Sequence, residues 1–364
     1  MKIKNRLLFV FTGIFIFFAS LSFAQTQVVK ISALKTNDYG VRYVLPKTVL
    51  KIDIEYSETK QKGGIYAKYA SRYLGVSDAD VIMEDGTYYT LEKVSVTEAS
   101  VPNKEQSYLV TFKSKTTAPF VCLTEDGVIC TINADYTPES IPVSPKTSSA
   151  SPAESFVLSP QSVYTEEYLR AGSVSKMAEV AAKNIYKIRE SRQDILTGEA
   201  ENVPKDGEAM KIILRNLDAQ ETIWRELFTG SAETVKHTKQ LIIEPVAETK
   251  KEILFRFSNY FGVVEVDNLS GEPVYWNLKD LKTVEIPEAD PKKKEKEPQS
   301  IVYNIPGKVE IKIYTGKKKL YATTVNVTQF GTTQILGTSL FEDKKAPVRV
   351  YFYPTTGAIK QIRQ

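Results

Sequence analysis

Residues 43–56 read YVLPKTVLKIDIEY, and within them Leu50, Ile52 and Ile54 alternate with Lys51, Asp53 and Glu55. A period of two puts the aliphatic side chains on one face of an extended strand and the charged ones on the other. Further strand candidates follow at residues 81–83, 88–97 and 108–112, so the region 25–136 reads as a β-rich domain. One short helix interrupts it. In GGIYAKYASRYLG, residues 63–75, Ile65, Tyr69 and Tyr73 recur every four positions and Gly75 stands where a left-handed cap is wanted.

Residues 120–132, FVCLTEDGVICTI, read as a β-hairpin turning at Glu125-Asp126-Gly127. That register sets Cys122 opposite Cys130, the two cysteines of the chain. In an oxidising compartment they are expected to form a cross-strand disulfide. Two buried thiols are the alternative, and a redox or metal role is the weakest, because no histidine lies nearby.

Residues 137–160 shift to proline, serine and threonine and read as a linker. Beyond it the period becomes 3.6. Val174, Met177, Ala181, Ile185, Ile188 and Ile195 share one sector of a helix over about residues 173–196, closing at Gly198. Met210, Ile213, Leu214, Leu217, Trp224 and Phe228 form the stripe of a second helix over 208–228, capped by Gly230. The region 161–232 is therefore expected to be an antiparallel helical hairpin. Strand patterns return over 233–364 as a C-terminal antiparallel β domain, expected to be sandwich-like, with LIIEP, EILFRFS, PVYWNL, KVEIKIY, LYATTVNV and VRVYFY as its strands. The fold class is α+β.

Two oddities stand out. Tyr43-Val44-Leu45-Pro46 is echoed by Tyr303-Asn304-Ile305-Pro306, but the apolar phase that follows differs by one residue, so no duplication is inferred. On the second helix, Gln220 and Glu221 project into or beside the apolar stripe, and Asn184 does so on the first. With Thr197 set against Glu208, Glu221 stands level with Asn184. The three read as a buried polar cluster that fixes helix register or docks the hairpin, with Arg192 out of direct reach; a functional acid is the alternative.

Residues 1–24 carry Lys2, Lys4 and Arg6, an apolar run and small residues at Ser22 and Ala24, the pattern of a secretory signal peptide. Gln25 follows, not cysteine, so no lipid anchor is expected. Removing that segment takes 3 of the 48 basic residues and leaves 45 against 44 acidic ones. A near-neutral chain offers no broad field to nucleic acid, and no later apolar run is long enough to span a membrane.

His237 is the single histidine, and no nucleophile elbow, zinc motif, phosphate loop or dinucleotide glycine pattern accompanies it. No catalytic residue, metal ligand or cofactor is assigned. Twenty tyrosines, several at alternating strand positions, supply amphipathic surface suited to protein or glycan contact.

Residues 43–56, 63–75, the segment LDAQETIWRELFTG at 217–230, IVYNIPGKVEIKIY at 301–314, TQFGTTQ at 328–334 and YFYPTTGAIKQI at 351–362 together resemble the exported Bacteroides-type family known as domain of unknown function 4831. The resemblance implies export into a Gram-negative envelope, periplasmic or at the outer membrane. It makes LDAQE a family signature and supplies no catalytic residues. The expected function is a non-enzymatic binding or scaffold protein of the envelope, contacting protein or glycan through its tyrosine-bearing sheets. The alternatives are a carboxylate-dependent hydrolase of envelope glycan or peptidoglycan, and an accessory in outer-membrane assembly or secretion.

Overall fold

The computed structural model describes residues 27–30, 40–111, 121–136, 158–201, 206–286, 300–337, 340 and 348–363. The expected signal peptide and residues 137–157 of the expected linker lie outside them. In chain order the elements are β1 (Gln27–Lys30), β2 (Gly40–Lys62), α1 (Ala70–Leu74), β3 (Gly86–Thr111), β4 (Val121–Leu123) and β5 (Ile129–Ile132). Four helices follow: α2 (Pro160–Val163), α3 (Glu166–Leu169), α4 (Val174–Thr197) and α5 (Gly207–Thr229). The remaining strands are β6 (Ser231–Ile243), β7 (Thr249–Ser258), β8 (Gly262–Val264), β9 (Glu272–Asp280), β10 (Val302–Thr315), β11 (Lys318–Ile335), β12 (Arg349–Phe352) and β13 (Ile359–Arg363). Three antiparallel sheets result, in the orders β1-β3-β2-β6, β11-β10-β9-β7-β8 and β13-β12-β5-β4. The fold is α+β.

The two β regions, expected as separate domains, are interleaved. β2 pairs with β6 from Leu50–Ile243 to Lys62–Ser231, and β5 pairs with β12. The boundary at residue 233 therefore falls inside a shared strand. The main core lies between the first two sheets: Leu50, Ile52, Ile54, Val94 and Val96 pack against Phe255, Trp276, Leu278, Val309, Ile311 and Ile313. A sandwich is indeed present, but the N-terminal strands supply one of its faces. The physical reason is that an alternating strand such as β2 has one apolar face, which needs an opposing layer, and the C-terminal sheet provides it.

β2 and β10 each serve two cores. Tyr43 and Leu45, at the start of β2, join Ile301 and Val302, at the start of β10, in a second core with Ile129, Ile132, Val350 and Phe352. Each strand changes core beside its proline. The pairing of β2 with β3 shifts between Val44 and Leu45, where residues 104–106 of β3 are additional and Pro46 faces Pro102, and that of β10 with β11 shifts between Ile305 and Gly307, where the additional residues belong to β11. Proline cannot donate to the ladder, so it fits beside an interruption of the pairing. The echo of residues 43–46 in 303–306 thus marks one structural role in two strands. At the crossing the Asn304 amide donates to the carbonyls of Pro46 (2.9 Å) and Thr356 (2.8 Å), and Val302 N–H donates to the Tyr43 hydroxyl (2.9 Å). Gly307 and Gly331 lie against the backbones of Phe330 and Ile305, leaving no space for a Cβ.

β4 and β5 form the expected hairpin, and Gly127 takes φ +79° in its turn. The disulfide is not formed: Cys122 and Cys130 are free thiols. A register shift after Cys122 places Thr131, not Cys130, opposite it, with Leu123 facing Ile129. The pairing expected from an even three-residue loop is displaced by that bulge. Burial first, then the neighbouring Cys122, pushes the Cys130 thiol up to about 11.

The long helices α4 and α5 form as expected, capped by Ser173 and Asp206 and closed at Gly198 and Gly230. Their base makes a third core with α1. There Ala178, Ala181, Ala182, Ile185, Trp224 and Phe228 meet Tyr66, Ala70 and Val81, and the Tyr66 and Tyr168 hydroxyls lie 2.7 Å apart. Residues 81–83 are not a strand; Ile82 instead bonds Gly64 N–H and the Thr229 carbonyl. The expected polar cluster is rearranged. Asn184 and Gln220 are half-buried, and Asn184 reaches Thr165 (3.5 Å). Glu221 is held by Arg189 (2.8 Å) and by Arg192 (2.6 Å), five and eight residues beyond Asn184 on α4, and Arg192 also pairs with Asp218. A half-buried carboxylate is matched better by guanidinium groups than by a neutral amide, and Arg189 and Arg192 stand within reach of Glu221.

Burial raises the Glu221 carboxyl, but hydrogen bonds and charge from Arg189 and Arg192 outweigh it and hold its pKa below the usual value. A depressed carboxylate stabilises the fold above its unfolded pKa, and that contribution disappears as pH falls through the folded value. Glu221→Gln should therefore cost about 1–3 kcal/mol at neutral pH and narrow the gap to wild type in acid. Thermal unfolding measured at pH 7 and pH 3 checks this, and an unchanged melting temperature at pH 7 refutes it. For the cysteines, non-reducing mass spectrometry after alkylation in denaturant should find both thiols modified. In the native state Cys122 should react before the buried Cys130; an intact mass lacking two hydrogens would contradict the hairpin register.

Candidate binding site

At one end of the sandwich the two sheets part. A groove of about 600 Å³ opens between Tyr88–Leu91 of β3, the end of β7 and its turn, the start of β9, and the β10–β11 turn. Leu91, Phe257, Val274 and Leu320 line it, and all four belong to the main core or pack on it. Alternation along each strand brings these side chains inward, so the apolar lining is a continuation of the core to the open end.

The rim is aromatic and polar. Tyr88 is 40 % exposed and Tyr260 74 % exposed, the latter followed by the exposed Phe261 in the β7–β8 turn. That turn needs Gly262 at φ +72°, where a Cβ would come within 3.1 Å of the Tyr89 ring and 3.2 Å of the Tyr56 ring. Ser258 accepts from Tyr260 N–H, Ser270 donates to Asn268, and Thr315 donates to Pro273, so these three hydroxyls are already engaged. Asn259, Glu272 and Lys318 line the groove as well, with exposed side chains. None of the three makes a side-chain hydrogen bond or ion pair among the described residues. The main-chain donor of Tyr89, which points away from β2, is taken by the Asn259 carbonyl at 2.7 Å.

Behind this wall stands the chain's one histidine. His237 on β6 is the register partner of Tyr56 and stacks on it at 5.3 Å, while its Nε2 lies 2.9 Å from Glu58. The hydrogen bond with His237 is the main cause holding the Glu58 carboxyl below the usual carboxylate range, and Lys60 adds to it against burial. Burial, then the charge of Glu58, raises the Tyr89 phenol. Among the described residues no hydroxyl or thiol is hydrogen-bonded to His237, so the pair clamps β2 to β6 and buttresses the tyrosine wall.

Cys122, Cys130, Asn184, Gln220 and Glu221 all lie outside the residues that line the groove. The abundance of tyrosine pointed toward a surface of this kind without locating it. Asn259, Glu272 and Lys318 were not singled out by the sequence, because each sits at a strand end where polar residues are ordinary. The one available sign was Tyr260-Phe261, two large aromatics in a turn between strands. Among the described residues no group of three or more His, Cys, Asp or Glu could hold a metal ion, and no helix is long and apolar enough to cross a membrane.

Comparison with curated proteins gives no match, and comparison with solved structures gives none. The family model described as Domain of unknown function (DUF4831) matches residues 39–360, which span all three sheets and the helical hairpin except β1 and the last residues of β13. The chain therefore belongs to the DUF4831 family.

Proposed function

We propose that this chain is an exported, non-enzymatic binding or scaffold protein of the bacterial envelope and that it holds its ligand in the groove at the open end of the sandwich. The observation that carries the reading is that rim: two exposed tyrosines beside an amide, a carboxylate and an ammonium that have no side-chain partner among the described residues, over an apolar lining supplied by the core. Concave sites with apolar walls and a few convergent polar groups are where small ligands and chain segments bind. Export rests on the basic, apolar and small-residue order of residues 1–24.

Hydrolysis of a glycosidic bond by paired carboxylates needs two acids within about 10 Å of each other across the bond. Among the described residues lining the groove, Glu272 is the only acid. That favours retention of a ligand over its cleavage.

The test compares the immobilised mature chain with a Tyr88→Ala, Tyr260→Ala variant after exposure to a solubilised envelope fraction. Wild type should retain at least one component that the variant loses, with both proteins melting at the same temperature. Equal retention by both would reject the groove as the site. Release of cleavage products that Glu272→Gln abolishes would reject the non-enzymatic reading.

A further inference from the structure

We infer that the groove takes a neutral carbohydrate, a short oligosaccharide seated with a ring face on tyrosine. This rests on the binding reading above and names the ligand class for the same site. Each competing class meets a specific obstacle in the rim.

A phosphate or polyanion calls for converging cations, yet among the described residues lining the groove Lys318 is the one cation and the carboxylate of Glu272 lines it too. An acyl chain calls for apolar enclosure, and here the walls carry Asn259, Glu272, Ser270 and Lys318. An extended peptide would dock by adding a strand to the open edge of β3, whose other strand neighbour, β1, pairs only with residues 108–111. Inside the groove that edge is already used, because the Tyr89 N–H donates to the Asn259 carbonyl at 2.7 Å.

A sugar meets none of these obstacles. Its hydroxyls both donate and accept, so they can give to the Glu272 carboxylate and receive from the Lys318 ammonium and the Asn259 amide with no net charge required. Its C–H face carries partial positive charge that suits the negative face of an aromatic ring, and Tyr88 and Tyr260 are the exposed rings at the mouth. A volume of about 600 Å³ lies within the range of small-ligand sites and accommodates more than one sugar ring. Behind the mouth, the β7–β8 turn lies close over the Tyr56 and Tyr89 rings, which a Cβ on Gly262 would reach at 3.2 and 3.1 Å, and His237 stacks on Tyr56.

The experiment screens the mature chain on an array of neutral oligosaccharides and titrates the best binder by calorimetry, with a library of unstructured hexapeptides as a second arm. Wild type should give saturable binding to a neutral oligosaccharide. Tyr260→Ala and Glu272→Gln should each weaken it about tenfold while leaving the melting temperature unchanged, because both side chains are exposed and bond to none of the described residues. Absence of binding across the array, or binding indifferent to both substitutions, overturns the carbohydrate assignment. If hexapeptides bind in a way that Tyr260→Ala disrupts and sugars do not, the ligand class is wrong and the groove remains a binding site. If neither arm responds to Tyr260→Ala, the binding reading of the groove falls with it.

Discussion

Two strands, β2 and β10, have to be buried twice, and the architecture follows from how that is achieved. Each starts in the core shared with β5 and β12 and finishes in the sandwich core, and beside its proline the pairing shifts, with the additional residues in the partner strands β3 and β11. Alternation puts Tyr43 and Leu45 on the face of β2 opposite Leu50, Ile52 and Ile54, and sets Val302 of β10 out of phase with Val309, Ile311 and Ile313, so a single strand presents apolar residues to two different layers. The broken ladder needs replacement hydrogen bonds, and Asn304 supplies them by bonding both the Pro46 and Thr356 carbonyls from a buried position. The third sheet and the sandwich are consequently joined through continuous strands and not through a flexible connection.

The groove follows from the same geometry at the opposite end. Where β3, β7, β9 and the β10–β11 turn run out, no further layer covers the last inward-facing side chains. The core opens to solvent there, with tyrosines at its lip. The helical hairpin plays no part in this rim. It is seated on α1 through alanine-rich and aromatic contacts, and toward its far end the Glu221–Arg189–Arg192 cluster, with Asp218, joins the two helices.

Local pattern was legible wherever one face of one element decided the outcome. The alternation of Leu50, Ile52 and Ile54, the stripes of α4 and α5, and the caps at Gly75, Gly198 and Gly230 all correspond to observed elements. What could not be read was pairing between distant segments. Nothing in the composition of β6 says that it continues the sheet of β2, because backbone hydrogen bonding is the same for every residue type except proline and the partner is chosen by the whole set of faces to be covered. Single-residue shifts were equally hidden. One bulge separates Cys122 from Cys130, and the way the two helices lie side by side gives Glu221 two arginines as partners in place of Asn184. The groove is hidden for the first of these reasons, being built from four separate stretches of chain.

The interleaving has a consequence for biogenesis. During synthesis, Tyr43 emerges 259 positions before Val302, its hydrogen-bond partner across the second core. A nascent chain ending anywhere before β10 lacks strands that both β-lined cores require, so its N-terminal half has no closed state to settle into. Long-range pairing of this kind folds slowly and leaves sticky strand edges bare in the interval. The DUF4831 architecture therefore matures only as a complete polypeptide, and fragments cut within it should be clients for holding chaperones, not smaller working units.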